Sequence, residues 1–382
     1  MEYRRLGRTG IDVAVIGLGC EHLVGLPRRD IEAIVATAVE HGAGYLDVFM
    51  PQAEVRDDLG HALGGGRRQR VLLAGHLGAV LEGGQYARSR APGPCAEFVD
   101  DFCRRLRTDV IDVLVLHYID EMADLERVLA PGSVLDQARR LQQQGRCRFI
   151  GMSSHTADVS RRAVETGAID VLMFSVNPAH DMLPGNSQLD SFFDGTGFEQ
   201  HPQVYRERRD LYLACQRLGT AIVTMKTYGG GRLLGANSVA GVQLTPTQLI
   251  HYALSQPGVA AALPGCRTVA EVEAAMAYLR AEEHERDYAA ALSQSRWDLR
   301  GHCVYCNHCL PCPQHIDIAA VTRLLDAARQ SGHLGVPEPV ATAYAGLAAR
   351  GSDCIECGDC LEQCPFGIDV VANMRDATTR LG

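Results

Sequence analysis

Eight cysteines near the C-terminus stand close enough together to bind metal. They form two runs, C-x2-C-x2-C-x2-C-P at Cys303, Cys306, Cys309 and Cys312, and C-x2-C-x2-C-x3-C-P at Cys354, Cys357, Cys360 and Cys364. Three thiolates at this spacing can hold one iron–sulfur cubane, and in two-cluster ferredoxins the cysteine before proline ligates the other cluster. The spacing therefore predicts two 4Fe–4S clusters.

The position of the fourth cysteine suggests an exchange of ligands between the runs. We expect one cluster to be bound by Cys303, Cys306, Cys309 and Cys364, and the other by Cys312, Cys354, Cys357 and Cys360. The first run has two residues instead of three before its last cysteine, which leaves this exchange open. Zinc is the alternative metal, commonly held by two C-x2-C pairs. Four close thiolates followed by proline are more typical of a ferredoxin.

Composition excludes several classes of protein. The net charge of −9 argues against a general nucleic-acid binder, which would have a basic face. No apolar run is long enough to span a membrane, and the segment Met1–Gly10 does not resemble a secretory signal. Fourteen cysteines then indicate metal or redox chemistry in a cytoplasmic protein. Lys226 is the only lysine among 37 basic residues, which suggests a role for its ammonium group.

Short β-branched apolar runs alternate with amphipathic stretches of helix length between residues 11 and 281. The predicted strands are Val15–Gly19, Tyr45–Phe49, Val71–Leu77, Ile111–Tyr118, Phe149–Ser153, Val171–Val176, Ala221–Tyr228 and Val259–Pro264. The predicted helices include Arg29–His41, Ala96–Leu106, Val134–Gln144, Ala157–Thr166, Val204–Leu218, Pro246–Ser255 and Ala270–Arg280. Eight such units predict an α/β fold, a closed (β/α)8 TIM barrel. An open doubly wound sheet is the alternative, but no G-x-G-x-x-G follows a predicted strand.

Three segments follow from this pattern. The predicted division is a barrel over 1–281, a connecting helix or linker over 282–300, and a small, mainly helical ferredoxin-like domain over 301–382. A hairpin of Tyr3–Leu6 and Val13–Ile16 should plug the bottom of the barrel. Residues 180–203 form a long polar loop after the sixth strand, either a lid over the barrel mouth or an insertion without fixed structure.

Several motifs resemble those of the aldo/keto reductases, and the whole chain resembles the subgroup with a C-terminal ferredoxin-type domain. The matching stretches are Tyr3–Gly10 (YRRLGRTG), Ile16–Gly19, Leu59–Leu63, Ile111–Asp112 with Leu116–His117, Ile150–Ser153, Met225–Lys226 with Gly229–Gly231, and Pro264–Thr268. They follow the family order along the whole barrel. The resemblance implies hydride transfer between NADP(H) and a carbonyl by an Asp, Tyr, Lys and His tetrad at the strand ends.

Only half of that tetrad is present in this chain. Asp47 and His117 stand at the Asp and His positions, whereas Gln52 replaces the Tyr and His76 replaces the Lys. Gln52 cannot act as a general acid, because its amide does not titrate. Substitute acids are His76, or Tyr118 and Tyr228 at neighbouring strand ends.

The resemblance also implies a cofactor site that is incomplete. Ser153 and Asn177 match nicotinamide contacts, although Met173 stands near the place of the expected Gln. The pyrophosphate cradle corresponds to Lys226, Gly229, Gly230 and Gly231, and the 2′-phosphate grip corresponds to Arg267 and Thr268. An Asn expected near the adenine is Ala275. Use of NADP(H) is therefore left open.

Three functional hypotheses follow. The first is an iron–sulfur oxidoreductase that moves electrons between the clusters and a small-molecule substrate, with a ferredoxin or flavodoxin as electron partner. The second is a non-redox or metal-dependent barrel enzyme, because two His and one carboxylate can bind Fe(II) as a facial triad of Asp47, His76 and His117. The third is a degenerate barrel that acts as a redox sensor or interaction protein. The sequence leaves the substrate, the direction of electron flow and the oligomeric state unassigned.

Overall fold

A parallel sheet of eight strands forms the core of the computed structural model, which describes residues 2–187, 205–332 and 335–382. The strands are β3 (Leu18–Gly19), β4 (Tyr45–Val48), β5 (Leu72–Leu77), β8 (Ile111–Leu116), β9 (Cys147–Ser154), β10 (Val171–Ser175), β11 (Ala221–Met225) and β12 (Val259–Ala262). They pair in this spatial order from β3 to β12. Parallel bridges from Ile16 to Ala262 and from Gly19 to Gly265 join the two ends of the sheet. The predicted TIM barrel is confirmed.

Two hairpins accompany the barrel. β1 (Tyr3–Arg5) and β2 (Asp12–Ala14) pair in antiparallel register, and Leu6 and Val13 are buried with the side chains that fill the barrel. This hairpin plugs the barrel bottom as predicted. A second hairpin, which the sequence pattern did not suggest, joins β6 (Ala79–Glu82) to β7 (Gln85–Arg88) directly after β5.

The helices surround the sheet and bury one apolar face against it. Those that follow barrel strands are Arg28–Glu40, Ala53–Ala62, Pro92–Arg105, Met122–Leu129, Val134–Gln143, Ala157–Glu165, Pro178–Asp181, Arg206–Leu218, Pro246–Ser255 and Val269–Met276. The helix Arg28–Glu40 illustrates the pattern, because it buries Ile31, Ile34, Val35 and Ala38 at i, i+3, i+4 and i+7. In the described part of the chain, no helix is long and apolar enough to cross a membrane.

The C-terminal region is helical and packs on the barrel. Its helices are Glu283–Arg286, Ala289–Leu292, Ile318–Gln330, Glu338–Ala345, Asp359–Gln363 and Val370–Leu381. Leu213 of a barrel helix lies in the same hydrophobic cluster as Val321, Leu325 and Met374 of this region. The predicted connecting segment therefore contains two short helices, and the proposed domain boundaries stay a prediction. The predicted lid over 180–203 falls largely on residues 188–203, outside the described residues.

Candidate active site

Three buried side chains meet at the carboxyl ends of neighbouring strands. Asp47 lies in β4, His76 in β5 and His117 directly after β8. The His76 Nε2 atom is 2.8 Å from the Asp47 Oδ1 atom, and the His76 Nδ1 atom is 2.8 Å from the His117 Nδ1 atom. The predicted catalytic residues Asp47, His76 and His117 are thus brought together as a chain of hydrogen bonds.

The second hairpin extends this chain by one residue. The Tyr86 Oη atom lies 2.6 Å from the His117 Nε2 atom, and Tyr86 is 43% exposed. The aromatic ring of Phe49 stacks on His117 with ring centroids 5.5 Å apart and also packs edge-on against Tyr86. The sequence analysis did not identify Tyr86. The signal that could have found it is Gly83-Gly84, a two-residue turn typical of a hairpin.

The hydrogen-bond partners assign the protons of the chain. An ionised Asp47 accepts from His76 Nε2–H, so that the Nδ1 atom of a neutral His76 accepts from His117 Nδ1–H and His117 Nε2 accepts from Tyr86 O–H. Burial is the main reason that the pKa of His117 lies well below its usual value. Positive charge on His76 and on Arg90 lowers this pKa further. Burial also raises the pKa of Tyr86. Both shifts favour the neutral forms of Tyr86 and His117.

A second chain of polar groups lies beside the first. The Asp120 carboxylate accepts from the His155 backbone N–H at 2.7 Å and lies 2.9 Å from His155 Nδ1. The opposite ring nitrogen, Nε2, lies 3.2 Å from the Lys226 Nζ atom. Burial lowers the pKa of Lys226, while the charges of Glu21 and Asp120 act in the other direction. The Lys226 ammonium therefore has a protein partner, and its predicted place in a pyrophosphate cradle stays a prediction.

The other predicted acids and Gln52 have different surroundings. The Tyr118 ring lies 5.0 Å from the His155 ring, and the Arg88 guanidinium lies 4.1 Å from the Tyr118 ring centroid. The Tyr228 Oη and Gln52 Oε1 atoms are buried without a hydrogen-bond partner among the described residues. The Tyr118 ring also lies 6.0 Å from the His117 ring, so Tyr118 packs beside the chain that ends at Tyr86.

The predicted nicotinamide contacts already have protein partners. Ser153 Oγ accepts from the Tyr118 backbone N–H at 2.8 Å. Asn177 Oδ1 accepts from the His180 N–H at 2.9 Å, and Asn177 Nδ2 donates to the Lys226 carbonyl at 2.7 Å. The Asn177 amide group also contacts the His180 ring, so both of its ends are used within the protein. The nicotinamide end of a nucleotide does not fit these donors as they stand.

The residues predicted to contact the cofactor phosphates have fewer protein partners. Gly229, Gly230 and Gly231 all have positive φ angles, and the Gly229 N–H closes a turn onto the Lys226 carbonyl. Thr268 caps the following helix by accepting from the Glu271 N–H at 3.2 Å, and Arg267 is exposed. The exposed Arg267 guanidinium could bind a phosphate. The phosphate end of the predicted cofactor site therefore suits a nucleotide better than the nicotinamide end does.

The eight cysteines of the C-terminal region surround two cavities. The first is lined by Cys303, Cys306, Cys309 and Cys364 and encloses about 370 Å³ of empty space, including some open solvent. The second is lined by Cys312, Cys354, Cys357 and Cys360, with Cys309 at its border, and encloses about 390 Å³ on the same measure. The last cysteine of each run therefore lies in the cavity of the other run. This placement is compatible with the exchange that the sequence suggested, and the binding of clusters in that arrangement stays a prediction.

The pKa values of the thiols around the first cavity also depend on Cys364. Burial raises the pKa values of Cys303, Cys306 and Cys309, and Cys364 contributes to the rise at each of them. Among the described residues, no three His, Cys, Asp or Glu side chains converge on one point as the ligands of a single metal ion must. The predicted iron–sulfur clusters stay a prediction.

The first cavity faces the barrel. Cys306 and Cys364 pack against a hydrophobic cluster that contains Tyr252 and Tyr288, and the Tyr288 hydroxyl donates to the Val304 carbonyl at 2.7 Å. The Arg209 guanidinium of a barrel helix also donates to the Cys303 carbonyl at 3.2 Å. The first cysteine loop is therefore attached directly to the barrel.

Comparison with known proteins places this architecture among related folds. The sequence model of the aldo/keto reductase family matches residues 15–241. An aldo-keto reductase from Bacillus halodurans in its holo form is similar in structure with a TM-score of 0.57 and 21% identity over 75% of this chain and 94% of its own. An aldo-keto reductase from Pseudomonas aeruginosa gives a TM-score of 0.55 and 20% identity over 72% and 95% of the two chains.

Proposed function

The chain belongs to the aldo/keto reductase family, and from that premise we propose that it is an iron–sulfur oxidoreductase. In this proposal, the eight C-terminal cysteines would hold two 4Fe–4S clusters that would supply or accept single electrons, and Tyr86 exchanges a proton with a small-molecule substrate at the barrel mouth. The observation that carries the proposal is the placement of eight cysteines around two neighbouring cavities, of which Cys309 lines both. The proposal assigns the chain to the subgroup with a ferredoxin-type C-terminal domain.

The residues around the cavities fit iron–sulfur clusters in donor type, number and burial. Cys303, Cys306, Cys309 and Cys364 would hold the cluster next to the barrel, which we call the proximal cluster. Cys312, Cys354, Cys357 and Cys360 would hold the other, which we call the distal cluster. When bound, such clusters supply or accept single electrons. The Ile368 N–H lies 3.5 Å from the Cys364 sulfur, a contact that would stabilise negative charge on the thiolate.

The hydrogen-bonded chain at the barrel mouth can move one proton. When a substrate hydroxyl passes its proton to Tyr86 Oη, the Tyr86 proton passes to His117 Nε2. The His117 Nδ1 proton then passes to His76, and the His76 Nε2 proton passes to Asp47. The same shifts in reverse deliver one proton to a substrate oxygen. Tyr86 is the member of this chain that solvent and substrate can reach, because the other three are buried.

NADP(H), the cofactor implied by the resemblance, fits only part of the site. The Asn177 amide and the Lys226 ammonium face protein partners, whereas Arg267 is exposed. Binding of NADP(H) therefore stays a prediction, and hydride transfer from it is not part of the proposed function. In the proposed function the electrons pass through the clusters.

The facial-triad hypothesis receives less support from the geometry. Both ring nitrogens of His76 are engaged, one with Asp47 and the other with His117. The nitrogen and oxygen atoms therefore face one another and do not face a common point, as ligands of one ion would. The hydrogen-bonded chain from Tyr86 to Asp47 favours an enzyme over the sensor hypothesis, because a passive scaffold does not need a path for protons.

The proposal is tested on protein purified without oxygen. We expect about eight iron atoms and about eight acid-labile sulfides per chain, as two 4Fe–4S clusters require. After reduction by dithionite, small carbonyl compounds should reoxidise the clusters, and the Y86F variant should do so on the order of 10²-fold more slowly, the usual loss for one general acid. The Y3F variant is the control, because Tyr3 is exposed on the plug hairpin.

Each part of the proposal can fail separately in this experiment. Zinc, or the absence of iron, would overturn the iron–sulfur assignment. Intact clusters that no carbonyl compound reoxidises would favour the sensor hypothesis. Equal rates for Y86F and the wild type would remove Tyr86 from the proton path while leaving the clusters in place.

A further inference from the structure

The loop that carries three ligands of the distal cluster exposes apolar side chains. Ile355 is 59% exposed and Leu361 is 41% exposed, and Cys357 between them is the exposed member of the eight cysteines. Exposed apolar side chains grouped on one short segment, with polar residues around them, can mark a contact surface for another protein. The first cysteine loop, in contrast, packs on the barrel through Cys306.

Acidic side chains surround this apolar centre. Asp353, Glu356, Asp359 and Glu362 are exposed along the same loop. Two basic residues contact this group of acids in the described chain: Arg375 pairs with Glu356, and the Arg350 backbone N–H donates to Asp353. The surface around Cys357 therefore has a small apolar centre and a rim with a negative net charge.

We propose that this surface is the docking site of a protein electron carrier whose own redox centre is surrounded by basic side chains. We call it the distal face, and it consists of Ile355, Cys357 and Leu361 with Asp353, Glu356, Asp359 and Glu362. The proposal rests on the proposed function, because it requires a cluster behind Cys357. It narrows the choice of partner to carriers with positive charge at the contact.

The anatomy of the face matches transient redox contacts. Such interfaces are small, below about 1,200 Å² in total, and depend on charge for rapid encounter. Opposite charges on the rim raise the association rate, and like charges suppress wrong partners. A ferredoxin or flavodoxin with an acidic contact surface would therefore be repelled here, so only a member of those classes with a basic contact surface would suit the distal face.

The experiment measures electron transfer from the dithionite-reduced holoprotein to two probes by stopped flow. The probes are a cytochrome c with a basic rim around its haem and a ferredoxin with an acidic surface. We expect the cytochrome c to react faster, with a rate constant that falls steeply as salt is added. The triple variant E356Q/D359N/E362Q should lower that rate constant on the order of tenfold at low salt. Asp353 is kept because it accepts the Arg350 backbone N–H.

The matched control removes three exposed acids elsewhere. E97Q/E126Q/E273Q changes the net charge by the same amount on barrel helices and should leave the rate constant within about twofold of the wild type, because distant charges are screened. Equal losses in both triple variants, or a faster reaction with the acidic ferredoxin, would overturn the docking proposal. Iron content and the cluster absorbance are recorded for each variant, so that a missing cluster, which contradicts the proposed function, is distinguished from a wrong docking face.

Discussion

At the scale of single residues, the position of Lys226 offers a direct measurement. Its ammonium lies 3.2 Å from His155 Nε2, in a buried place that lowers its pKa, while Asp120 and Glu21 act to raise it. Because it is the only lysine, protein labelled with ¹³C at lysine Cε gives one side-chain signal. We expect that signal to titrate below the ordinary lysine pKa of about 10.4.

Removing the Asp120 carboxylate should lower the Lys226 pKa further. The D120N variant keeps the size of the side chain but removes a negative charge that favours the ammonium form. E126Q, which removes an exposed acid from a neighbouring helix, is the matched control and should leave the titration unchanged. A Lys226 signal that titrates at the ordinary value in all three proteins would contradict the buried position of the ammonium.

His251 predicts an acid dependence of stability. Burial, together with the positive charges of Arg286, Arg4 and Arg323, lowers its pKa to about 4. Between pH 6.5 and 4 the unfolded chain binds a proton that the folded protein refuses, so the free energy of unfolding falls as the pH falls. The loss is about 1.4 kcal/mol for each pH unit in this window.

The H251Q variant should lose this part of the pH dependence. Urea unfolding at pH 6.5 and 5.5 compares the free energies of unfolding of wild type and variant. We expect the wild type to lose about 1 kcal/mol more than H251Q, which is less than the full slope because the unfolded histidine is already half protonated at pH 6.5. Other buried histidines contribute equally to both proteins. H284Q, at a histidine exposed to solvent, should behave as the wild type does. Parallel pH dependence in wild type and H251Q would contradict the assignment.

At the scale of elements, the hairpin β6–β7 determines where Tyr86 lies. Its turn is Gly83-Gly84, with φ angles of 58° and 81° that L-residues with side chains rarely adopt. An added Cβ atom at either glycine meets nothing within 4 Å, so that an alanine there strains only the backbone. The double variant G83A/G84A should destabilise the hairpin by about 1–2 kcal/mol per residue.

The expected result is faster amide hydrogen exchange in residues 79–88 with little change in the barrel strands, together with slower reoxidation of the clusters by substrate. G93A is the control, because Gly93 has no positive φ angle and its added Cβ atom would also meet empty space. Unchanged exchange in the hairpin would mean that this turn does not fix the position of Tyr86.

The hairpin also shows where prediction from the sequence ends. The eight barrel strands follow from apolar runs, because burial on both faces requires β-branched side chains in sequence. The helix Ala53–Ala62 and the hairpin were not predicted, since neither has a strong apolar period and the exposed ends of β6 and β7 are polar. Short elements that depend on tertiary contacts give weak local signals.

The candidate site divides in the same way. Asp47, His76 and His117 follow from their places at strand ends, where a barrel collects its functional groups. Asp120 and Tyr86 could not be placed from the sequence, because their roles depend on contacts with residues 35 and 31 positions away. The hydrogen bond from the His180 N–H to Asn177 Oδ1 was not predicted either, because the resemblance assigned the Asn177 amide to the nicotinamide.

At the scale of the whole molecule, the two cysteine runs are predicted to share their clusters. Cys364 lines the cavity of Cys303, and Cys312 lines the cavity of Cys354. C364S should therefore remove the same electron paramagnetic resonance signal as C303S, and C312S should remove the same signal as C354S. If each run held its own cluster, C364S would instead match C354S, and the predicted exchange of ligands would be wrong.

A half-buried ion pair adds to the apolar contact between the barrel and the C-terminal region. Arg209 Nη2 donates to Asp326 Oδ2 at 2.5 Å, and the Tyr305 hydroxyl donates to the same oxygen at 3.0 Å. Because Arg209 also donates to the Cys303 carbonyl, this one side chain joins a barrel helix, a C-terminal helix and the first cysteine loop.

Neutralising Asp326 should therefore make the loop that carries Cys303, Cys306 and Cys309 less rigid. D326N leaves the half-buried Arg209 guanidinium without its carboxylate, which should cost about 1–3 kcal/mol of unfolding free energy. We expect faster hydrogen exchange in residues 303–309 and faster iron release to a chelator. D298N is the matched control, because the Asp298–Arg300 pair is exposed, and it should change neither quantity measurably. Equal iron release from D326N and D298N would show that the cysteine loop holds its position without this ion pair, through the apolar contacts of Cys306 and Cys364 with the cluster around Tyr288.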